Sequence, residues 1–96
     1  MSLETVQQIV IDVLGEIQAI SGRELIPISG STSALSELPG FDSLNGIEAT
    51  LEISTRLGYA FEVDNLLIDE TGHRVLTIRE IAQRACQLMD AVGFKK

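Results

Sequence analysis

Apolar residues recur every three or four positions in the first part of the chain, and polar residues fill the places between them. This spacing puts the apolar side chains on one face of an α-helix, so we predict a first helix from Leu3 to Ile20. Ser21 and Gly22 then end it, because glycine readily adopts the left-handed conformation found after helices. The apolar stripe consists of Leu3, Val6, Ile9, Val10, Val13, Leu14, Ile17 and Ile20.

A long connection is predicted from Arg23 to Phe41, because its two prolines and two glycines interrupt helices and strands alike. Connections of this length are uncommon inside compact domains and often carry function. One helical turn is expected around residues 33–37. Five aliphatic side chains should hold the connection against the core: Leu25, Ile26, Ile28, Leu35 and Leu38.

A second long helix is predicted to begin at Asp42-Ser43 and to end at Gly58. Asp42 suits the N-cap position, since its carboxylate can accept a hydrogen bond from a free backbone N–H group. Gly58 suits the position just after the helix. The apolar stripe of this helix consists of Leu44, Ile47, Leu51 and Leu57, with Ile53 beside it.

The last helix has the clearest start, because residues 77–80 match the capping box. In that motif the side chains of Thr77 and Glu80 each bond a backbone N–H group of the first turn. Before it, Asp64 could cap one short helix, and residues 69–74 are expected to form an exposed turn. Gly93 should end the last helix, whose buried face should comprise Ile78, Ile81, Ala82, Ala85, Leu88, Met89 and Val92.

These elements predict an all-α fold with a single domain over residues 1–96. The expected architecture is a small four-helix bundle of three main helices and one short helix, with a long loop between the first two main helices. A chain of 96 residues supports one hydrophobic core and leaves no room for a separate catalytic domain.

Composition limits what such a bundle can bind. The net charge of −7 disfavours nucleic acid and anionic membranes and favours protein partners with basic surfaces. The aromatic content of 4% does not favour stacking on bases. No signal peptide and no apolar stretch long enough to cross a bilayer is recognised, so we expect a cytoplasmic monomer.

Metal binding and catalysis are not predicted. Cys86 is the single cysteine, so neither an internal disulfide nor a zinc cluster is expected. His73, the single histidine, falls in the predicted turn and is a poor candidate for a catalytic triad. Asp64, Asp69 and Glu70 lack the alternating oxygen ligands and central glycine of a calcium loop. These residues therefore predict neither a metal site nor a catalytic triad.

The candidate site lies where the long connection meets the second long helix, at Gly40-Phe41-Asp42-Ser43-Leu44. Ser43 takes the first helical position, and its hydroxyl should be exposed because the apolar stripe begins one residue later. A phosphate on that hydroxyl would lie beside free backbone N–H groups and the positive end of the helix dipole. The plainer interpretation is that Asp42-Ser43 only caps the helix, as many such pairs do.

This motif resembles that of the acyl carrier protein family, which includes peptidyl and polyketide carrier domains. The resemblance extends through Ile47, Glu48 and Leu51, and more loosely through the helix order of almost the whole chain. It implies a four-helix bundle in which a phosphopantetheinyl transferase attaches 4'-phosphopantetheine from coenzyme A to Ser43. The thiol of the arm would then hold an acyl group as a thioester, while the carrier itself catalyses nothing.

The resemblance also implies roles for neighbouring residues. Asp42 matches the acidic residue that helps the transferase assemble its metal site. Leu44 and Ile47 match apolar positions at which partner enzymes dock, and Glu48 matches an acidic docking position. The implied partners are therefore the transferase and acyl-transferring or synthase enzymes with basic docking surfaces.

Several features depart from the fatty-acid carriers and favour a specialised carrier. Pro39 replaces the usual aliphatic or small residue, and Asn45 stands where aspartate is frequent. Residues 52–57 are less acidic, and the segment 57–78 is several residues longer. The pathway stays open between fatty-acid, polyketide and other acyl transfer. The alternatives are an aminoacyl, peptidyl or D-alanyl carrier and, in another class, a non-covalent helical adaptor in which Ser43 only caps.

Overall fold

The computed structural model describes residues 2–91, and all the regular elements in this range are helices. The all-α prediction is confirmed. The predicted bounds of the first helix and the predicted start of the second long helix are also confirmed. Val92 and Gly93, which were predicted to belong to the end of the last helix, lie outside the described residues. The helices are α1 (Leu3–Ile20), α2 (Ala34–Glu37), α3 (Ser43–Leu57) and α4 (Ile78–Ala91).

Helix ends follow the local signals of the sequence. Ser2 caps α1, because its hydroxyl accepts a hydrogen bond from the Thr5 backbone N–H group at 3.2 Å. Gly22 and Gly58 follow α1 and α3 with φ angles of 70° and 69°. These are left-handed values that residues with a Cβ atom seldom adopt, so glycine is required at both helix ends.

Helix α1 packs against both α3 and α4, so the core forms around it. Its residues Val6, Val10, Val13 and Leu14 are buried, as the predicted stripe requires, but Ile20 at the end of the stripe is 87% exposed, so its predicted place in the core is wrong. The connection before α4 adds Leu66, Leu67 and Leu76 to this core. Helices α3 and α4 contribute Ala49, Ile53, Leu57, Ile78, Ile81, Ala82, Ala85 and Met89.

The inward face of α3 differs from the apolar stripe of its sequence. Leu44 and Leu51 are 73% and 66% exposed, and Ile47 is 39% exposed. Of the predicted stripe, Leu57 and the neighbouring Ile53 are buried. Small residues let the first turns of α3 lie close to the rest of the protein, so the larger apolar side chains face outward. The buried residues of α3 are Gly46, Ala49, Thr50, Ile53 and Leu57.

The predicted short helix after Asp64 is wrong, because residues 59–77 contain no helix. Side chains satisfy the backbone of this segment instead. The Leu66 N–H group donates to Thr50 Oγ1 at 2.9 Å, and the Leu67 N–H group donates to Asn65 Oδ1 at 3.0 Å. Because side-chain oxygens accept these hydrogen bonds, the two N–H groups are satisfied without helical backbone hydrogen bonds.

Arg84 of α4 supports the same segment. Its guanidinium donates to the backbone carbonyls of Asn65, Leu66 and Ile68. The predicted turn over residues 69–74 is confirmed. Within it, Asp69 accepts hydrogen bonds from the backbone N–H groups of His73 and Arg74.

The connection between α1 and α3 contains the predicted helical turn as α2. Leu38 is buried and Ile26, Ile28 and Leu35 pack partly buried against the core, as predicted. Leu25 is 64% exposed, so its predicted anchoring role is wrong. The remaining four apolar contacts hold the connection along its length.

Candidate functional site

A complete capping box defines the first residue of α3. Asp42 Oδ1 accepts a hydrogen bond from the Asn45 backbone N–H group at 3.0 Å, and Asn45 Oδ1 accepts one from the Asp42 N–H group at 3.3 Å. The predicted N-cap role of Asp42 is therefore confirmed. Asn45, which departs from the aspartate frequent in fatty-acid carriers, completes the box as its reciprocal partner.

Ser43 is the first residue of α3 and is exposed. Among residues 2–91 its hydroxyl has no hydrogen-bond partner, whereas its backbone carbonyl accepts a hydrogen bond from Asn65 Nδ2 at 3.2 Å. The Asn65 amide thus fixes the backbone of Ser43, and the Ser43 side chain stays accessible to solvent. A hydroxyl in this position can act as a nucleophile toward an enzyme-bound phosphate ester without breaking an internal contact.

A second polar network ties the end of α1 to the residues that precede Ser43. Gln18, which is 2% exposed, donates from Nε2 to the Pro39 carbonyl at 2.8 Å. Arg23 Nη1 donates to Gln18 Oε1 at 3.1 Å and to Asn45 Oδ1 at 2.8 Å. One arginine therefore connects α1, the connection and the capping box of α3.

The roles of Gln18 and Arg23 in this network were not predicted from the sequence. One signal was available, because Gln18 lies four residues after Leu14 on the apolar face of α1, where a polar side chain needs a partner. Arg23 is only five residues away, but the contacts of Gln18 with the Pro39 carbonyl and of Arg23 with Asn45 are formed by the tertiary fold and were not indicated by the sequence.

Two features of this network require glycine at position 40. Its φ angle of 71° lies in the left-handed region. A Cβ atom there would also stand 2.9 Å from Arg23 Nε and 3.0 Å from Arg23 Cδ. The glycine of the motif therefore allows both the turn into α3 and the close approach of the arginine.

Gly46 also permits a close approach, in the first turns of α3. A Cβ atom at this position would lie 2.6 Å from Asn65 Nδ2 and 2.7 Å from Asn65 Oδ1. The Asn65 amide thus rests on the helix backbone, where it reaches the carbonyl of Ser43. Thr50 adds a further link, because its hydroxyl donates to the Gly46 carbonyl at 2.8 Å and accepts from Leu66.

The residues predicted to dock partner enzymes lie together on the outer face of α3. Leu44 and Ile47 are exposed beside Ser43, and Glu48 is exposed next to them. Ile20, at the end of α1, is 87% exposed and extends the apolar surface. A groove runs between the two helices and is lined by Val13, Glu16, Ile17, Ile20, Glu48 and Glu52.

One guanidinium pairs with two carboxylates of this groove. Arg56 Nε donates to Glu52 Oε2 at 3.0 Å, and its two terminal nitrogens donate to the carboxylate of Glu16. The hydrogen bonds to Glu16 and then to Glu52 raise the pKa of Arg56 above its ordinary value. The acidic face beside α3 is thus partly neutralised from within the protein.

The other polar candidates have structural explanations. Cys86 is partly buried. Burial is the main cause that raises the pKa of its thiol, and the negative charge of Asp90 is the second, so the reactive thiolate is disfavoured. His73 is exposed in the turn. Within residues 2–91, no group of three or more histidine, cysteine or acidic side chains is arranged to hold a metal ion. None of the described helices is long and apolar enough to cross a membrane.

Comparison of the chain with protein-family models, curated proteins and solved structures found no significant match. The functional assignment consequently depends on the chemistry around Ser43 and on the resemblance of its motif.

Proposed function

We propose that this protein is a carrier that holds acyl intermediates as thioesters on a 4'-phosphopantetheine arm attached to Ser43. One observation carries the proposal: an exposed serine hydroxyl, without an internal partner among residues 2–91, stands at the first position of a firmly capped helix. Plain capping does not explain this hydroxyl, because the side chains of Asp42 and Asn45 form the capping box.

In the attachment step, Ser43 Oγ forms a bond to the phosphorus that carries pantetheine in coenzyme A. The pyrophosphate bond of coenzyme A breaks, the adenosine bisphosphate leaves, and the hydroxyl proton passes to a base of the transferase. The attached arm supplies a thiol that holds the acyl group. The backbone N–H groups at the start of α3 favour the negative phosphodiester, and Asp42 is available for the metal site of the transferase.

The proposal includes the finer architecture expected for this class. Helices α1, α3 and α4 would be the three main helices of the bundle, α2 would be its short helix, and residues 21–42, which include α2, would be its long loop. The short helix α2 therefore lies in the loop and not between α3 and α4. Residues 59–77 contain no helix, and Asn65 of this segment bonds the Ser43 carbonyl. We further propose a cytoplasmic monomer that is not itself an enzyme.

A transferase assay tests the attachment site. The purified protein is incubated with coenzyme A, magnesium and a broad-specificity phosphopantetheinyl transferase, and its intact mass is measured. We expect the mass to increase by one phosphopantetheine, and we expect no increase for Ser43→Ala. Ser36→Ala, which alters another exposed serine, is the matched control and should be modified like the wild type.

Two results would contradict this proposal. A wild-type protein that gains no mass with several transferases would exclude the carrier function and leave the helical adaptor, which the exposed Leu44 and Ile47 also suit. A mass increase that persists in Ser43→Ala would exclude this serine as the attachment site.

The pathway is tested separately, with the loaded protein. We propose acyl cargo, because peptidyl carriers tend to be less acidic than this chain, whose net charge is −7. Enzymes of ordinary fatty-acid synthesis should load and elongate this protein less readily than their own carrier. Equal rates would rule out a specialised carrier, and loading by an adenylating enzyme with an amino acid would favour an aminoacyl, peptidyl or D-alanyl carrier.

A further inference from the structure

The groove between α1 and α3 holds three carboxylates that differ in their partners. Glu16 and Glu52 both bind the guanidinium of Arg56. Arg56 Nε donates to Glu52 Oε2 at 3.0 Å, and Arg56 Nη1 donates to Glu16 Oε2 at 3.3 Å. Glu48 instead accepts a hydrogen bond from the uncharged amide of Asn45, at 3.2 Å. Of the three, Glu48 therefore keeps a negative charge that no cation of the described residues offsets.

The same surface also carries exposed apolar side chains. Leu44, Ile47 and Leu51 project from α3, and Ile20 projects from the end of α1. A partner that covered these side chains would bury apolar area at its centre and meet Glu48 near its edge. Charged groups at the edge of an interface mainly affect the association rate and the choice of partner.

We propose that Arg56 is a specificity-determining residue that weakens the binding of strongly basic partners at the α1–α3 groove. Its single positive charge is shared between Glu16 and Glu52 and lowers the net charge of the three carboxylates from −3 to −2, so a basic helix is attracted less strongly. The partner that fits this face is an amphipathic helix with a broad apolar side and few basic residues. This inference rests on the proposed docking face of the carrier and identifies the chemistry of the partners that it accepts.

A peptide titration tests the proposal independently of any arm on Ser43. The probe is a synthetic helical peptide with leucine on one face and lysine on both flanks, labelled for fluorescence anisotropy. Its affinity is measured for the full chain and for Arg56→Gln, both in a Ser43→Ala background. At about 0.01 M salt, where the Debye length is about 30 Å, we expect Arg56→Gln to bind roughly three- to tenfold more tightly.

Two further variants separate a local effect from a general one. Arg79→Gln removes the same charge from an exposed position on α4 outside the groove, and it should leave the affinity within about twofold of the wild type. Arg56→Lys retains the cation and should keep the weaker, wild-type-like binding. At about 1 M salt, where charges are screened beyond about 3 Å, the gain of Arg56→Gln should fall below about twofold.

Three outcomes would overturn the inference: equal affinities of the wild type and Arg56→Gln, an equal gain in Arg79→Gln, or no binding by any variant at low salt. Thermal unfolding of each variant provides the structural readout. A lower melting temperature of Arg56→Gln with unchanged affinity would mean that Arg56 only joins α1 to α3. Failure of the transferase assay with success of this titration would overturn the carrier function and leave the docking face intact.

Discussion

Helices α3 and α4 begin with the same local device and end up with opposite surroundings. Asp42 and Asn45 form a capping box at the start of α3, and Thr77 and Glu80 form one at the start of α4. The first residue of α3 is the exposed Ser43, whereas the first residue of α4 is Ile78, which is completely buried. A capping box thus determines where a helix begins, but it does not determine whether the first residue of the helix is exposed or buried.

Tertiary contacts produce the difference. The connection between α1 and α3 lies across the start of α4, where the Ile78 and Arg79 N–H groups donate to the carbonyls of Thr32 and Gly30 at 2.8 and 2.9 Å. At α3, Asn65 supports the inner side of the first turn through the Ser43 carbonyl. Among residues 2–91, the outer side of that turn, with Ser43 and Leu44, stays exposed. The exposed start of α3 therefore suits the attachment of a group, whereas the buried start of α4 suits only the core.

The largest expected effect contrasts the two helix starts directly. Ile78→Ala removes a fully buried side chain and should lower the free energy of unfolding by about 2–5 kcal/mol. Leu44→Ala, at a position that is 73% exposed, should change it by less than about 0.5 kcal/mol. Urea unfolding of both variants is the measurement. Similar losses in the two proteins would show that the start of α3 is not an open surface.

A smaller effect concerns the inner side of α3. Gly46→Ala should lower the free energy of unfolding by about 1 kcal/mol, because the new Cβ atom displaces the Asn65 amide. Losing its two hydrogen bonds costs about 0.5–1.5 kcal/mol each and outweighs the gain of about 1 kcal/mol in helix propensity.

Gly15→Ala is the matched control for this change. Gly15 also lies within a helix, and no atom stands within 4 Å of a Cβ at that position. Here the gain in propensity should act alone and raise the free energy of unfolding by about 0.5–1 kcal/mol. Changes of the same sign in both variants would exclude a close contact between Asn65 and the first turns of α3.

The smallest effect is the acid dependence of the start of α4. The hydrogen bond from the Thr77 backbone N–H group, followed by that from Arg74, lowers the pKa of Glu80 below its ordinary value of 4.5. A lowered pKa in the folded state stabilises the protein fully above about pH 4.5. This contribution disappears as the pH falls through the folded-state value. Glu80→Gln should therefore lose less stability than the wild type upon acidification.

Urea unfolding between about pH 7 and pH 3 measures this dependence. Asp69, whose pKa is lowered first by the hydrogen bond from Thr71, contributes in the same direction and is present in both proteins. The difference between the two curves consequently isolates Glu80. Parallel curves over the whole range would contradict a capping role for the Glu80 carboxylate.

The outward face of α3 and the irregular course of residues 59–68 could not be predicted from the sequence. Leu44, Ile47 and Leu51 form a stripe like those of buried helices, yet Gly46, Ala49 and Thr50 occupy the inner side. The rule of apolar periodicity identifies a helix and its faces, but it does not say which face meets the core. The long-range contacts of Gln18 with the Pro39 carbonyl and of Gly46 with Asn65 are likewise not predictable without the fold.

By itself the sequence determined where α1, α3 and α4 begin, where α1 and α3 end, and that Asp42 caps the helix that starts with Ser43. Those features depend on residues within one or two turns, because caps, breakers and periodicity act through local backbone geometry. The tertiary structure decided that Ser43 is open while Ile78 is buried, and that Arg56 offsets the acidity of the groove. Such outcomes depend on which distant segments cover a helix, and no local pattern contains that information.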